Sequence, residues 1–241
     1  MKPSAVPKSP AASPPAFSGF GPRALDFFKA LAFHQDKAWF EENRSLYEAE
    51  VKAPLEVLLR DLTAAFATMG LPLQGNARSV FRLHRDIRFS KDKRPYKTNS
   101  GAVLSRDGTK RAQGFLYLHL DPEGCFAAAG FWRPEPDETL ALRRAIAGKP
   151  AAFRDVVARL GTAGLVLGDG DPLARLPKGF EAVVEPDLAD TIRMRNILVR
   201  RTLPPPAIGS PNLVRDLVRF AGEAEPLLRF GWAALDAHRP A

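Results

Sequence analysis

The sequence contains few cysteine and histidine residues, which often carry out enzyme chemistry. It contains one cysteine and four histidines among 241 residues. A single cysteine, Cys125, excludes an intramolecular disulfide and a zinc site built from several thiolates, and its apolar neighbours predict a buried core residue. Glycine-rich phosphate loops, a Gly-x-Ser-x-Gly elbow and a His-Glu-x-x-His helix are all missing from the sequence. No catalytic residue and no cofactor is therefore predicted.

A metal site is not predicted either. The segment GDGDP at residues 168–172 lacks the twelve-residue spacing of oxygen ligands that a calcium loop requires. His84 and His119 meet only if their strands pair, and two hydrogen-bonded strand histidines are then expected rather than metal ligands.

Long apolar runs are absent as well, because no stretch approaches the roughly 18 residues that cross a membrane. Residues 1–16 are rich in proline, alanine and serine and lack the apolar segment of a secretory signal, which predicts a disordered leader. We expect residues 17–241 to form a single domain and the protein to be cytoplasmic.

Apolar periodicity predicts an α+β fold, with N-terminal helices, a mostly antiparallel sheet and C-terminal helices. Residues 22–69 carry apolar side chains at three- and four-residue steps, with Asp36 expected to cap the second helix and Pro54 to mark a kink or restart. Alternation of apolar and polar residues predicts a strand at 79–89. The other predicted elements are strands at 101–104, 114–120, 125–132 and 196–203, helices at 136–148 and 150–161, and two helices between 212 and 237.

The net charge of +8 is concentrated in two segments. Residues 82–97 hold seven basic and two acidic side chains, and residues 193–201 hold four arginines and no acid. An even spread would indicate only a soluble surface, whereas this clustering indicates an anionic partner or internal pairing with carboxylates. If 196–203 and 79–89 belong to one sheet, we expect the two clusters to converge on one positive face.

The first basic segment is the candidate ligand site. Arginine presents a planar fork of donors that fits a phosphate or carboxylate, and lysine presents a point charge. Tyr96, which follows a proline, is placed to stack on a ligand ring or to fill the core, and Asp86 either holds an arginine or acts as a base. The predicted ligand-binding residues are Arg82, Arg85, Asp86, Arg88, Lys91, Lys93, Tyr96, Lys97 and, from the second cluster, Arg200.

Four segments carry a family resemblance. The stretch RDIRFSKDKRPYKTN at 85–99 resembles the signature of a family of uncharacterised, mainly bacterial and fungal proteins, domain-of-unknown-function family 2461. The segments WFEENRSLYE, GFWRPEP and LPKGF resemble further blocks of that family in the same order. Where the family pattern suggests a His-Pro pair after LPKGF, this chain has Glu185 and Pro186. The resemblance implies a single domain of unknown activity and no assigned catalytic residue.

Three functional hypotheses remain. The one we prefer is a basic pocket for a small phosphorylated or carboxylated ligand. The second is a nucleic-acid-binding module, favoured by the sequence pI of about 9.9 and by aromatic residues among the basic ones. The third is an interaction protein whose basic segment is paired internally and is structural. The ligand, any reaction and the oligomeric state are not predicted.

Overall fold

The computed structural model describes residues 15–88, 91–168 and 171–238. The predicted α+β fold is confirmed. The helices are α1 (Arg23–Phe33), α2 (Lys37–Glu42), α3 (Arg44–Tyr47), α4 (Ala53–Met69), α5 (Pro136–Gly148), α6 (Pro150–Thr162), α7 (Pro186–Arg193), α8 (Pro205–Ile208) and α9 (Leu213–His238). The strands are β1 (Ser100–Leu104), β2 (Phe115–Leu120), β3 (Cys125–Phe131) and β4 (Ile197–Leu203), and short π-helical and 3-10 turns lie at Glu48–Lys52 and Ala77–Ser79.

Parts of three predicted segments lie outside the described residues. They are residues 1–14 of the leader, Phe89 and Ser90 of the basic segment, and Asp169 and Gly170 of GDGDP. The division of the chain into a leader and one domain stays a prediction.

The N-terminal helices begin and end where the sequence signals indicate. Asp36 caps α2 by accepting a hydrogen bond from the backbone N–H of Trp39 at 2.8 Å. Pro54 lies in the first turn of α4, where a backbone N–H has no helical partner, so the chain restarts there after the π-helical turn. Gly70 ends α4 in a left-handed conformation with φ of 67°.

The WFEENRSLYE segment packs its aromatic residues on the core. Phe40 is buried, and Trp39 and Tyr47 are partly buried against the same cluster. The Phe27 ring of α1 lies 5.9 Å from Trp39 and 5.4 Å from Tyr47, measured between centroids. These contacts tie α1 to α2 and α3.

The sheet runs β1-β2-β3-β4, with each strand antiparallel to its neighbour. Because side chains alternate along a strand, Leu116, Leu118 and Leu120 share one face of β2 and are buried. On this side of the sheet α9 contacts β3 and β4, and Cys125 belongs to the same buried cluster, as predicted. The β2–β3 connection closes with a hydrogen bond from Gly124 N–H to the Asp121 carbonyl, which confirms the predicted hairpin.

The last helix differs from the prediction of two helices. A single helix, α9, runs for 26 residues with Pro226 inside it. Buried residues occur on both sides of that proline, including Phe220 and Leu228. Packing of both halves on one core therefore outweighs the backbone hydrogen bond that proline removes. No helix in the described ranges is both long and apolar enough to cross a membrane.

The predicted strand at 79–89 is wrong for residues 79–88, the part of it that the structure describes, because they do not form a strand of the sheet. Phe81 N–H donates to the Gly101 carbonyl of β1 at 2.9 Å, and then the chain leaves the sheet and pairs with its own later residues. Lys97 N–H donates to the Leu83 carbonyl and Arg85 N–H to the Pro95 carbonyl, each at 2.8 Å. The alternating pattern correctly indicates an extended segment. That segment forms a hydrogen bond with β1 at Phe81 and then pairs with residues 95–97 instead of continuing along β1.

Two glycines of α9 provide a matched test of the packing. A Cβ at Gly231 would lie 2.1 Å from Cζ of the buried Phe131 ring, whereas at Gly222 the nearest atom is Met69 Cε at 3.4 Å. We expect Gly231→Ala to lower the free energy of unfolding by about 1–3 kcal/mol through overpacking. Gly222→Ala should instead raise it by about 0.5–1 kcal/mol, because glycine is a poor helix former. Urea unfolding of both variants measures the difference, and equal effects would contradict the packing described.

Candidate functional site

The face of the sheet opposite α9 borders a cavity of about 460 Å³, which we call the open-face cavity. All four strands contribute to it, because the residues that alternate with the buried leucines and alanines point to this side. The segments before β1, between β1 and β2, and after β3 form its walls. The lining residues are Phe81, Arg82, Lys97, Asn99, Gly101, Val103, Lys110, Gln113, Phe115, Tyr117, His119, Phe126, Ala128, Trp132, Leu198 and Arg200.

Aromatic rings form the floor of the open-face cavity. The Tyr117 ring lies 5.9 Å from Phe126 and 6.1 Å from Phe81, and His119 stacks on Phe126 at 4.7 Å. Gly101 of β1 lies directly beneath Tyr117, where a Cβ would approach the phenol oxygen to 2.5 Å. Glycine at this position therefore lets the tyrosine ring lie across the neighbouring strand.

Four cations surround this floor. The Lys97 and Lys110 ammonium groups lie 5.7 Å and 5.4 Å from the Phe81 ring centroid, and the Arg200 guanidinium lies 4.7 Å from that of Phe126. Arg82 is the fourth. Burial lowers the pKa of Lys97, and the nearby positive charges of Arg82, Arg85 and Lys110 lower it further.

The remaining arginines of the basic segment form ion pairs within it. Arg85 and Arg94 both bind Asp92, at 2.5 Å and 2.7 Å, and Arg88 binds Asp86 at 2.7 Å. Arginine hydrogen bonds lower the pKa of both aspartates. These residues tie a loop together, as the structural hypothesis expected, and none of them lines the open-face cavity.

The other predicted ligand residues also lie away from the cavity. Lys93 donates to the Ile87 carbonyl at 3.0 Å, and Lys91 is exposed. Tyr96 is 2% exposed and stacks on Phe40 with 4.7 Å between centroids, so it fills the core. Of the nine predicted ligand residues, the cavity brings together Arg82, Lys97 and Arg200.

The second basic cluster is divided in the same way. Arg193, Arg195 and Arg201 pair with Asp190, Asp171 and Glu223. Alternation along β4 directs Arg201 towards α9 and Arg200 towards the cavity. The predicted convergence therefore holds for Arg200 and is wrong for Arg201.

A chain of polar side chains crosses one end of the cavity floor. The Tyr117 hydroxyl lies 2.9 Å from Nδ1 of His119, and Nε2 of His119 lies 3.5 Å from Oδ2 of Asp121. Burial raises the pKa of Tyr117 to about 12. Burial also lowers the pKa of His119, against the opposing effect of Asp121.

Sequence reasoning missed Lys110 and Tyr117, and it interpreted His119 only as a hydrogen-bonded strand histidine. The signal was the strand at 114–120, in which aromatic or histidine residues alternate with leucines. That pattern marks the second face of the strand as different from the core. The alternating pattern does not, however, indicate that this face borders a cavity.

A second cavity, of about 560 Å³, lies beside the first and shares Trp132 with it. Arg133 has a left-handed backbone with φ of 46°, and its N–H donates to Asn196 Oδ1 at 2.7 Å. Arg143 on its wall donates Nε–H to the Ile192 carbonyl at 2.9 Å. That bond satisfies a carbonyl near the end of α7, which indicates a structural role for Arg143.

The residues considered for metal or thiol chemistry do not assemble into a site. In the described ranges no three His, Cys, Asp or Glu side chains are placed to hold a metal ion. His84 contacts Phe40 and Tyr96 rather than His119. Burial raises the pKa of the Cys125 thiol, which disfavours a reactive thiolate. Glu185, which replaces the expected histidine, precedes α7 and lines neither cavity.

Comparison with known proteins gives one family match. The family model described as a conserved hypothetical protein, DUF2461, matches residues 23–230. No curated protein and no solved structure matches the chain.

Asp92 provides a test of the ion pairs in the basic segment. Its arginine partners lower its pKa, so its contribution to stability is present above the ordinary value of 3.8 and is lost as the pH falls below that value. We expect Asp92→Asn to be less stable than the wild type at pH 7, with the difference shrinking steadily below pH 3.8. Urea unfolding across this pH range is the measurement. A difference that does not change with pH would show that the carboxylate charge is not what stabilises the loop.

Proposed function

We propose that this chain, which belongs to the DUF2461 family of conserved hypothetical proteins, binds a small phosphorylated or carboxylated ligand in the open-face cavity. The observation that carries the proposal is the separation of paired from unpaired cations. Arg85, Arg88, Arg94 and Arg201 form ion pairs with acidic side chains, whereas Arg82, Lys97 and Arg200 form no ion pair within the described ranges and line one cavity.

Lys97 is partly buried, whereas Arg82 and Arg200 are exposed, and collecting like charges around a partly buried ammonium group is unfavourable unless something offsets it. The lowered pKa of Lys97 reflects that repulsion together with burial. An anion bound among Arg82, Lys97 and Arg200 would remove the repulsion and would accept charge-assisted hydrogen bonds from the arginine forks. The unpaired cations therefore favour an anionic ligand over a neutral one.

The size and the floor of the cavity favour a small molecule with an apolar or planar part. A volume of about 460 Å³ lies within the range of small-molecule sites, roughly 300–1,000 Å³. The rings of Phe81, Tyr117 and Phe126 offer surfaces for stacking, while the cations hold the anionic end.

Single-stranded nucleic acid is a second candidate, and the same floor supports it. Aromatic side chains on the open face of an antiparallel sheet, surrounded by basic residues, stack unpaired bases in several RNA-binding folds. Phe115, Tyr117 and Phe126 have this arrangement here. We prefer the small ligand because the loops before β1 and after β3 wall the face into a cavity of limited extent.

Replacement of Arg200 tests the proposal with inorganic pyrophosphate as the probe. We expect Arg200→Gln to weaken binding roughly 10- to 100-fold, since hydrogen bonds to charged groups contribute about 1.5–3 kcal/mol. Arg215→Gln is the matched control, because it removes the same charge from an exposed position on α9. Isothermal titration calorimetry measures both, and equal weakening by the two variants would indicate a diffuse charge effect without a site.

The salt dependence of binding separates the two candidates. If these four cations each neutralise one phosphate of a single-stranded nucleic acid, log affinity should fall against log salt concentration with a slope of about −2.8. A small anion held by oriented forks should show a much shallower slope. Tight, steeply salt-dependent binding of an oligonucleotide without pyrophosphate binding would favour nucleic acid. Binding of neither would favour the structural hypothesis.

A further inference from the structure

Tyr117, His119 and Asp121 connect the cavity floor to the turn after β2. The phenol oxygen lies 2.9 Å from His119 Nδ1, and His119 Nε2 lies 3.5 Å from an Asp121 oxygen. We propose that Tyr117 is a nucleophile for a phosphate ester bound in the open-face cavity, with His119 as its general base and Asp121 as a positioning residue. The assignment rests on the anion site proposed above and names the ligand class and the chemistry of that site.

The hydrogen bonds decide which of the three groups meets the ligand. Both ring nitrogens of His119 are engaged, since Nε2 faces Asp121 and Nδ1 faces Tyr117. A neutral His119 with its proton on Nε2 donates towards the carboxylate and accepts the Tyr117 proton at Nδ1. The phenol oxygen then keeps its lone pairs for the cavity, so Tyr117 is the reacting group.

The cations lie where a reacting phosphoryl group needs them. Arg200 stacks on Phe126, and Phe126 in turn contacts both His119 and Tyr117. Lys97 lines the same cavity on the β1 side. Arginine and lysine in this arrangement would stabilise the negative charge that develops on phosphoryl oxygens in the transition state.

The acidities of the two groups agree with this division of roles. Burial raises the pKa of Tyr117 to about 12, so the phenol keeps its proton near neutral pH and needs a base to become a nucleophile. Burial lowers the pKa of His119, so the imidazole is neutral and able to accept that proton. The ionisable groups that influence His119 are Tyr117, Asp121 and Arg200.

The reaction balances without a further reactant other than water. The Tyr117 oxygen forms a bond to phosphorus while its proton moves to His119 Nδ1, and the bond from phosphorus to the ester oxygen breaks. The departing oxygen lies opposite the attacking one, so it takes its proton from water and leaves as an alcohol together with a hydroxide ion, while Asp121 stabilises the imidazolium. Hydroxide then attacks the phosphotyrosine from that opposite side, and the imidazolium returns its proton to the Tyr117 oxygen, which restores the phenol and releases phosphate.

Labelling with 4-(fluorosulfonyl)benzoate tests the activation of Tyr117 without knowledge of the natural ligand. The probe carries a carboxylate for the cations, and the phenol oxygen displaces fluoride from sulfur as the proton moves to His119. We expect peptide mass spectrometry to find the label on Tyr117, with a rate about a hundredfold lower in His119→Gln. Tyr117→Phe removes the labelled oxygen. Tyr47→Phe is the control and should leave the rate unchanged, because Tyr47 packs on Phe27 and Phe40 away from the cavity.

The pH dependence of labelling in the wild type needs no variant. If His119 is the base, the rate rises with pH to a plateau above the His119 pKa, which lies below its ordinary value of 6.5. Asp121→Asn should shift that midpoint to lower pH, because the carboxylate raises the His119 pKa. Without the relay, the rate would increase about tenfold per pH unit towards the ionisation of Tyr117 near 12.

The outcomes separate this inference from the anion site. A log-linear pH profile, or labelling of Tyr117 at equal rates in wild type and His119→Gln, overturns the relay, and pyrophosphate binding by the same protein would leave the anion site standing. Absence of pyrophosphate binding in the wild type overturns the anion site and the phosphate-ester assignment with it. A plateau that depends on His119, in a protein that binds pyrophosphate, supports both.

Discussion

The packing of α9 on one face of the sheet is the constraint on which the rest of the structure depends. Phe131 of β3 lies against Gly231 of α9, where even a methyl group would collide with the ring. This contact assigns the leucines of β2, and Ala127 and Ala129 of β3, to the core. The residues that alternate with these along each strand therefore point to the opposite face. The open-face cavity lies on that face, so the packing that stabilises the fold also determines which side chains line the cavity.

This arrangement determines where the positive charge of the chain is available to a ligand. A net charge of +8 describes attraction for anions in general, but the carboxylates decide where that attraction acts. Asp86 and Asp92 form ion pairs with three arginines of the basic segment, and these pairs tie the loop together. Among the described cations of this segment that form no ion pair, Arg82 and Lys97 line the cavity, where Arg200 from the far edge of the sheet joins them. The most basic stretch of the sequence is thus mainly a structural loop that contributes two side chains to the cavity.

The proposed chemistry belongs to a less conspicuous part of the chain. Tyr117, His119 and Asp121 occur at every second position along β2 and its turn, so a single strand delivers all three side chains to one side. Gly101 on the adjacent strand provides the space in which the tyrosine lies. A relay built on one strand is held by backbone hydrogen bonds on both sides, which fixes its geometry better than a loop would.

The sequence by itself determined those elements of this protein that depend on local signals. Helical periodicity, the Asp36 cap, the alternating strands and the hairpin turn are local properties, because they depend on residues only a few positions apart. Only the tertiary structure decided three other matters: that α9 stays continuous through Pro226, that residues 82–88 lie outside the sheet, and which cations pair with carboxylates. Each depends on groups far apart in the chain, such as Arg201 with Glu223 or Arg200 with Lys97. Their proximity is set by how the sheet and α9 pack, and a linear pattern of residue types carries no information about that distance.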